Sequence, residues 1–314
     1  MRTVKSLSAI ALSMFVCALL PAGAGAPQAA GSESSPYCDP GGSGAGSHVP
    51  SGAPVLARGG DAREPDLGDV HEDLPAAAKG KAGKRFTTTV PVYFHVVTDG
   101  AVGALTDDQI TAQIGVLDNT FAGGEGGDRT GFGFELAGVT RTDNADWFYA
   151  NPGGTNEHTM KRTLRQGGAD ALNLYSTTAG DYLGWAYLPS ILTKPGQAYL
   201  DGVVVDWESM LGTSTRYAGR YDQGETATHE VGHWLNLEHT FYGGCNAKGD
   251  FVDDTPAQKV PTNGCPEDKD TCSEPGLDPI HNYMDYSYDS CYTEFTPGQT
   301  QRMRDAWLYY RAAG

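Results

Sequence analysis

The chain has 314 residues and a formal net charge of −17, and residues 86–314 carry all of this excess, with 14 Lys and Arg against 31 Asp and Glu. Such an acidic surface disfavours nucleic acid as a partner and suits a soluble protein outside the cell, where acidic loops bind calcium. After the first 30 residues, no segment approaches the apolar length of a membrane-spanning helix, so membrane insertion is not expected.

The first 30 residues have the layout of a secretory signal. Arg2 and Lys5 precede an apolar run from Ile10 to Leu20, and small residues follow the run. This apolar run is too short to span a membrane. We therefore expect residues 1–30 to be a signal peptide and the mature protein to be secreted into the extracellular space.

Residues 31–85 are expected to form a flexible prosegment that is removed. They are rich in Gly, Ala, Ser and Pro, and Tyr37 is their only aromatic residue, so they can bury too little apolar surface to fold alone. The stretch ends with Lys84 and Arg85 in a basic patch that suits proteolytic processing. The alternative is a flexible linker that stays attached.

The remaining residues predict alternating strands and helices. Apolar or alternating runs predict strands over residues 89–97, 132–139, 171–175, 183–188 and 202–207, of which the fourth is an edge strand. Helix-start patterns predict helices that begin near residues 106, 155 and 296. After residue 240 the chain is rich in Gly, Asp, Pro and Cys, as loops are. We therefore predict one α+β domain over residues 86–314, with a twisted mixed sheet, backing helices and a loop-rich lower lobe closed by a C-terminal helix.

One segment of this domain has the pattern of a metal site. Residues 225–240 read E-T-A-T-H-E-V-G-H-W-L-N-L-E-H-T. Positions i and i+4 lie on one face of a helix, so His229 and His233 can bind one zinc ion together. Glu230 then projects beside them toward a zinc-activated water.

A third ligand requires the chain to turn. His239 lies six residues after His233 and reaches the same ion only if the helix ends near Asn236, a residue that tolerates the left-handed conformation. Three imidazoles leave one zinc position open, as catalytic sites do. The thiolate of Cys38 is either a latency ligand for that open position or a lone thiol in the prosegment.

Four cysteines follow the zinc motif, at positions 245, 265, 272 and 291. An even number in an exported, loop-rich region indicates two disulfide bonds, and the sequence alone leaves all three pairings open. The alternative is a second zinc site formed by the same cysteines.

Further motifs extend the pattern into a recognisable family. H-E-V-G-H-W-L-x-L-x-H-T-F is followed by D-D-T-P, by N-Y-M-D-Y-S-x-D-x-C and by F-T-x-x-Q-x-x-R-M. Over residues from about 86 to 314 the chain resembles the pappalysin family of metzincin zinc endopeptidases. Asn236 is a departure, since the family usually has glycine there, but asparagine can adopt the same turn. The resemblance implies a secreted zinc-dependent endopeptidase that hydrolyses peptide bonds with Glu230 as the general base.

The same resemblance implies roles for residues beyond the zinc ligands. Met284 would form the Met-turn below the three imidazoles, and the hydroxyl of Tyr286 would assist catalysis at the developing oxyanion. The implied disulfides are Cys245–Cys272 and Cys265–Cys291. The implied calcium ligands are Asp250, Asp253, Asp254 and Thr255.

The expected partners are protein or peptide substrates, bound by a monomer. A peptide would lie along the predicted edge strand 183–188, and Asp285 and Asp289 are either a pocket for basic side chains or ordinary acids. His95 in the first strand is expected to be a hydrogen-bonded core or edge histidine rather than a metal ligand. Two other classes stay open: a zinc-bearing binding or adhesion module with an inactive site, and a zinc amidase that acts on non-protein substrates.

Overall fold

The computed structural model describes residues 73–246 and 249–312. The predicted signal peptide, most of the predicted prosegment and Cys38 lie outside the described residues. Among the helices of the described part, none is both long and apolar enough to cross a membrane.

Five strands form one mixed sheet in this part of the chain. The strands are β1 (Thr88–Thr98), β2 (Phe132–Asp143), β3 (Leu172–Thr177), β4 (Gly184–Ala186) and β5 (Val203–Asp206). Their order in the sheet is β2-β1-β3-β5-β4. β1 pairs in parallel with β2 and β3, and β3 pairs in parallel with β5, whereas β4 is antiparallel to β5. The predicted mixed sheet is therefore confirmed, with β4 at its edge.

In the described residues, five α-helices pack around the sheet. They are α1 (Asp107–Phe121), α2 (Ala145–Phe148), α3 (Thr155–Leu164), α4 (Glu225–Trp234) and α5 (Pro297–Tyr310). Two of them begin with the predicted capping boxes, since Thr106 accepts a hydrogen bond from the amide of Gln109 and Thr296 from that of Gln299. Each capping glutamine also accepts from the backbone N–H of its threonine, so two otherwise unpaired donors are satisfied at each helix start.

Both faces of the central strands are covered, which explains why β3 and β5 are mostly apolar and fully buried. One face packs Val92 and Phe94 of β1 in a core shared with α1, α4 and α5. The opposite face packs Val97 and Val204 against Phe148 of α2 and against α3. Every residue of β3 is buried. The predicted α+β architecture of sheet and backing helices is confirmed.

Local chemistry accounts for the differences from the predicted elements. The edge strand ends at Ala186 rather than at residue 188, because Pro189 begins a 3-10 helix that spans Pro189–Thr193. The short helix α2 was not predicted, and its four residues are started by Asn144, whose side chain accepts from the amide of Trp147 at 3.1 Å.

The prediction that His95 is a core residue is confirmed. Its side chain is fully buried on β1. The ring nitrogens lie 2.8 Å from Oγ1 of Thr140 and 2.9 Å from Oδ1 of Asn173, and the ring stacks on Tyr175. Burial lowers the pKa of His95, which favours the neutral ring.

Candidate metal centre

The helix that carries the first two histidines ends in a sharp turn. All ten residues of α4 are buried. Asn236 follows it with a φ of 78°, the left-handed conformation that the sequence predicted there. The amide of Asn236 donates to the carbonyl of His233 at 2.8 Å, and the amide of Leu237 donates to that of Gly232 at 2.9 Å. These bonds pair carbonyls at the helix end and redirect the chain toward His239.

Three imidazoles converge at the predicted site. The Nε2 atoms of His229 and His233 are 3.1 Å apart, and each lies 3.1–3.2 Å from Nε2 of His239. Three nitrogens at about 2.0–2.1 Å from a tetrahedral zinc ion would be separated by about 3.3 Å. The triangle therefore fits one zinc ion, and the turn at Asn236 supplies the third ligand, as the sequence predicted.

Backbone carbonyls orient two of the rings. Nδ1 of His229 lies 2.6 Å from the carbonyl oxygen of Tyr283, and Nδ1 of His233 lies 2.7 Å from that of Leu237. A carbonyl can only accept, so each Nδ1 carries the proton and each Nε2 directs its lone pair to the centre of the triangle. The fold therefore favours the tautomer of both rings in which Nε2 is available to a metal.

Glu230 is buried beside the two helical histidines, and β4 passes next to it. A β-carbon built on Gly184 would lie 2.9 Å from Cγ of Glu230 and 3.0 Å from its Oε1. The edge strand of the sheet therefore contacts the carboxylate that the sequence assigned as a general base. Gly184 was missed in the sequence analysis, because a glycine inside a strand gives no sign of which distant side chain it faces.

The predicted Met-turn lies directly under the metal site. Met284 is fully buried, and a β-carbon on Gly232 would lie 2.4 Å from its sulfur, so the thioether packs on α4 between the two helical ligands. The amide of Met284 donates to Oδ1 of Asn282 at 3.0 Å, and Asn282 exchanges two side-chain hydrogen bonds with Gln299. Gln299, which completes the capping box of α5, therefore also holds the Met-turn below the imidazoles through Asn282.

Tyr286 lies next to the converging imidazoles. The centroid of its ring is 4.9 Å from that of His239 and 5.7 Å from that of His229. Its side chain is buried, and it also packs against Phe241, which stacks on His239. The structure thus brings the tyrosine singled out by the sequence to the third ligand.

The cysteines form the two disulfides that the family resemblance implied. Cys245 is bonded to Cys272 and Cys265 to Cys291, with Cα–Cα distances of 5.6 and 5.9 Å. All four cysteines are therefore engaged as disulfides and not as ligands of a second zinc ion. The bonds connect the loops that follow the metal motif.

The acidic loop after Cys245 contains aspartates in different environments. Asp250 is buried, and burial raises its pKa to about 7. Asp254 instead accepts from the hydroxyl of Thr296 at 2.7 Å and from the amide of Gly298 at 2.8 Å, at the start of α5. Within the described residues, the loop brings no three carboxylates together within 4.8 Å.

The two acids near the Met-turn are buried and bonded to the protein backbone. Asp285 accepts from the amide of Thr262 and the side chain of Gln258, both at 3.0 Å. Asp289 accepts from the amide of Gln223 at 2.9 Å. These bonds hold the loops around the site together.

Trp185 and Tyr187, which belong to the predicted edge strand 183–188, are buried in the core on the side of that strand away from Glu230. Trp185 and Tyr187 both donate to the buried carboxylate of Glu157, at 2.7 and 3.2 Å. Glu157 and Lys161 form an ion pair at 2.9 Å with both side chains fully buried. The burial of this pair is not predictable from the sequence, because its i, i+4 spacing is also typical of exposed helix faces.

Comparison with known proteins decides the family. A family model described as pregnancy-associated plasma protein-A, of peptidase family M43, matches residues 184–307. An extracellular metalloprotease of Arthroderma benhamiae is 42% identical over 268 residues, covering 82% of this chain and 87% of that protein. The chain belongs to the pappalysin family of metalloproteases. An extracellular metalloprotease of Neurospora crassa is 44% identical over 249 residues, covering 77% of this chain and 83% of that protein.

Solved structures of pappalysins agree with this membership. Mature mirolysin of Tannerella forsythia, in complex with a cleaved peptide, has a TM-score of 0.59 and 32% identity, covering 70% of this chain and 91% of that one. A promirolysin mutant has a TM-score of 0.60 and 30% identity, covering 70% and 80%. The pappalysin resemblance, the fold and the metalloendopeptidase class predicted from sequence are confirmed. The family implies zinc and peptide substrates, and His229, His233 and His239 form the site for the metal.

Proposed function

We propose that this pappalysin is a secreted endopeptidase in which Glu230 is the general base for attack of a zinc-activated water on a peptide carbonyl. The observation that carries the proposal is the convergence of three Nε2 atoms within 3.2 Å of one another, two of them from the helix that also carries Glu230. Two imidazoles are already held as the tautomer that binds a metal.

A zinc ion in this triangle would polarise a carbonyl and lower the pKa of water to about 7. Glu230 accepts the proton of the attacking water and delivers it to the leaving amine. Glu230 is buried beside Gly184, so bulk solvent has little access to its carboxylate. The hydroxyl of Tyr286, next to His239, donates a hydrogen bond to the oxyanion that develops on the carbonyl.

The substrate is proposed to bind as an added strand at the edge of the sheet. β4 is one of the two terminal strands of the described sheet, and it passes directly beside Glu230. An extended peptide that pairs with such an edge gains backbone hydrogen bonds and places one of its carbonyls near the metal. Mirolysin, whose fold is similar, has been solved with a cleaved peptide, which supports this substrate class.

Secretion and calcium binding belong to the same proposal. Residues 1–30 have the layout of a signal peptide, and the relatives are named extracellular metalloproteases.

Asp250, Asp253 and Thr255 line a cavity of about 250 Å³, and a cation there would favour the charged form of Asp250. Melting curves with and without a calcium-selective chelator test this site, and an unchanged midpoint would count against it.

The experiment for catalysis uses the secreted full chain on casein, with a zinc chelator and with zinc restored. Glu230→Gln is expected to bind zinc and to cut casein about 10²–10⁴-fold more slowly than wild type. The matched control is Glu135→Gln, which changes an exposed glutamate on β2. Intact casein after treatment with the zinc-loaded wild type would favour a binding module or an amidase instead. A Glu230→Gln variant as active as the control would remove Glu230 from the mechanism.

A further inference from the structure

The segment directly before the first strand is packed on the C-terminal helix. We call residues 73–85 the strap. Leu74 and Ala78 of the strap are buried in a small cluster with Ala306 of α5, and Tyr310 packs against it. This part of the predicted prosegment therefore has an apolar contact with the body of the protease, which the composition of residues 31–85 did not predict.

One carboxylate on α5 binds the strap through its backbone. Asp305 accepts hydrogen bonds from three successive amides, those of Gly80 at 2.6 Å and of Lys81 and Ala82 at 2.8 Å. The side chain of Gln301 adds a bond to the carbonyl of Ala82 at 3.2 Å. Asp305 is only 3% exposed, so loss of the strap would remove three charge-assisted hydrogen bonds from a buried carboxylate.

An arginine on α5 connects the strap to the metal centre. Arg302, one helical turn before Asp305, donates from Nη1 to Oδ1 of Asp73 at 3.1 Å. Its Nε donates to the carbonyl oxygen of Asn236 at 2.8 Å. Asn236 is the left-handed residue of the turn between His233 and His239. One guanidinium thus bonds both the strap and the turn that presents the third histidine.

We propose that the strap is a retained part of the active protease and that Arg302 is a positioning residue, through which the strap holds the Asn236 turn and with it His239. The inference rests on the proposed zinc site. It places the processing cut before Asp73, although Lys84 and Arg85 are exposed and offer a basic sequence. A cut at Arg85 would release the strap and leave Asp305 and Arg302 without these partners.

The first test locates the N-terminus of the active enzyme. The full chain is secreted, the active fraction is purified, and its intact mass and N-terminal peptide are determined. An N-terminus before Asp73 is the expected result. An active enzyme that begins at Phe86 and holds no strap peptide would overturn the proposal.

The second test measures how tightly the metal is held, independently of proteolysis. Asp73→Ala and Arg302→Lys, made in the full chain, are loaded with zinc, and zinc transfer to a coloured chelator is followed over time. We expect at least a tenfold faster loss of zinc in both variants, the size typical of groups that orient metal ligands. The control is Asp268→Ala, which removes an exposed acid outside this network.

A merely structural role would give a different pattern. The melting midpoint of each metal-free variant would fall, while zinc release would match that of Asp268→Ala, and this result would overturn the positioning role. Asp73 is half-exposed, so Asp73→Ala is expected to fold even if the buried Arg302→Lys variant does not. The test therefore does not depend on the arginine variant alone. If the wild type itself bound no zinc, both the proposed function and the positioning role would fail. If the wild type bound zinc and both variants released it as slowly as Asp268→Ala, only the positioning role would fail.

Discussion

Gly184 on the edge strand and Glu230 on the metal-binding helix are in direct contact. A β-carbon at Gly184 would lie 2.9 Å from Cγ of Glu230, 3.0 Å from its Oε1 and 2.7 Å from the carbonyl oxygen of Val204. Val204 belongs to β5, which pairs with β4. The edge strand β4 therefore cannot move away from this contact without disturbing its pairing with β5. Glycine at this position therefore lets the strand and the carboxylate approach each other.

Gly184→Ala is accordingly expected to lower activity without loss of the metal. The added methyl displaces either Glu230 or the strand that is proposed to bind substrate, and a displacement of about 1 Å costs about 100-fold in rate. The measurement is kcat/KM on a fluorogenic peptide, together with the zinc content. Gly133→Ala on β2 is the control, because its added carbon would meet only ordinary contacts at 3.8 Å or more. Equal kcat/KM for the two variants would contradict this account.

Glu157 is expected to be a main stabilising residue behind the edge strand. Its carboxylate accepts from Trp185, Tyr187 and the amide of Gly153, and it pairs with buried Lys161. Glu157→Gln leaves the lysine charge buried without its partner, which costs about 3–5 kcal/mol of the free energy of unfolding. Urea unfolding at pH 7 measures this loss, with Glu135→Gln as the surface control.

The same pair makes stability depend on acid. Burial alone would raise the pKa of Glu157, but Lys161 and the hydrogen bonds outweigh it, so the pKa lies below its ordinary 4.5. The stabilisation is therefore complete above about pH 4.5 and is lost as pH falls through the folded-state pKa. The difference in unfolding free energy between wild type and Glu157→Gln should shrink between pH 6 and pH 3. A constant difference would show that folding does not lower the pKa of Glu157.

Asp206 at the end of β5 is expected to give the opposite dependence on pH. Burial raises its pKa to about 8, against the opposing effects of the Glu208 amide, Arg216 and the hydroxyl of Tyr217. Between the ordinary pKa of 3.8 and the raised pKa of about 8, Asp206 holds a proton in the folded protein that it has lost in the unfolded chain. The stability contribution of this group is thus largest near pH 4 and falls as pH rises toward 8, by up to about 1.4 kcal/mol per pH unit.

Asp206→Asn removes this titration while it keeps the shape of the side chain. Relative to wild type, the variant should gain stability steadily as the pH is raised from 4 to 8, in urea unfolding followed by tryptophan fluorescence. Parallel curves for wild type and variant over that range would show that Asp206 stays ionised in the fold.

Local patterns predicted the parts of the site that local chemistry determines. The i, i+4 spacing of His229 and His233 and the tolerance of Asn236 for a left-handed turn were sufficient to predict the three-histidine centre, and both capping boxes start the helices expected. Contacts between distant segments carry no such pattern. The approach of Gly184 to Glu230 depends on how the edge strand lies over α4, which single-sequence patterns do not encode.

The same limit applies to the strap, which was assigned to a flexible prosegment because its composition offers little apolar surface. Besides the small apolar contact of Leu74 and Ala78, the strap is held by hydrogen bonds from its backbone amides to Asp305, and backbone donors exist in every sequence. The role of Asp254 at the start of α5 is similar, because only the fold brings that loop to the helix.

Asn236 provides a test of the turn that completes the metal centre. Its φ of 78° is strained for residues with a β-carbon and unstrained for glycine, so Asn236→Gly is expected to keep stability and zinc binding. Asn236→Ala should lower the free energy of unfolding by about 1 kcal/mol, because alanine lacks the local polar contacts that let asparagine adopt this conformation. Thermal unfolding of the metal-free and zinc-loaded forms separates the two contributions. If the turn presents His239, the loss in Asn236→Ala will be larger with zinc bound than without, whereas an equal loss would mean that the turn serves the helix end alone.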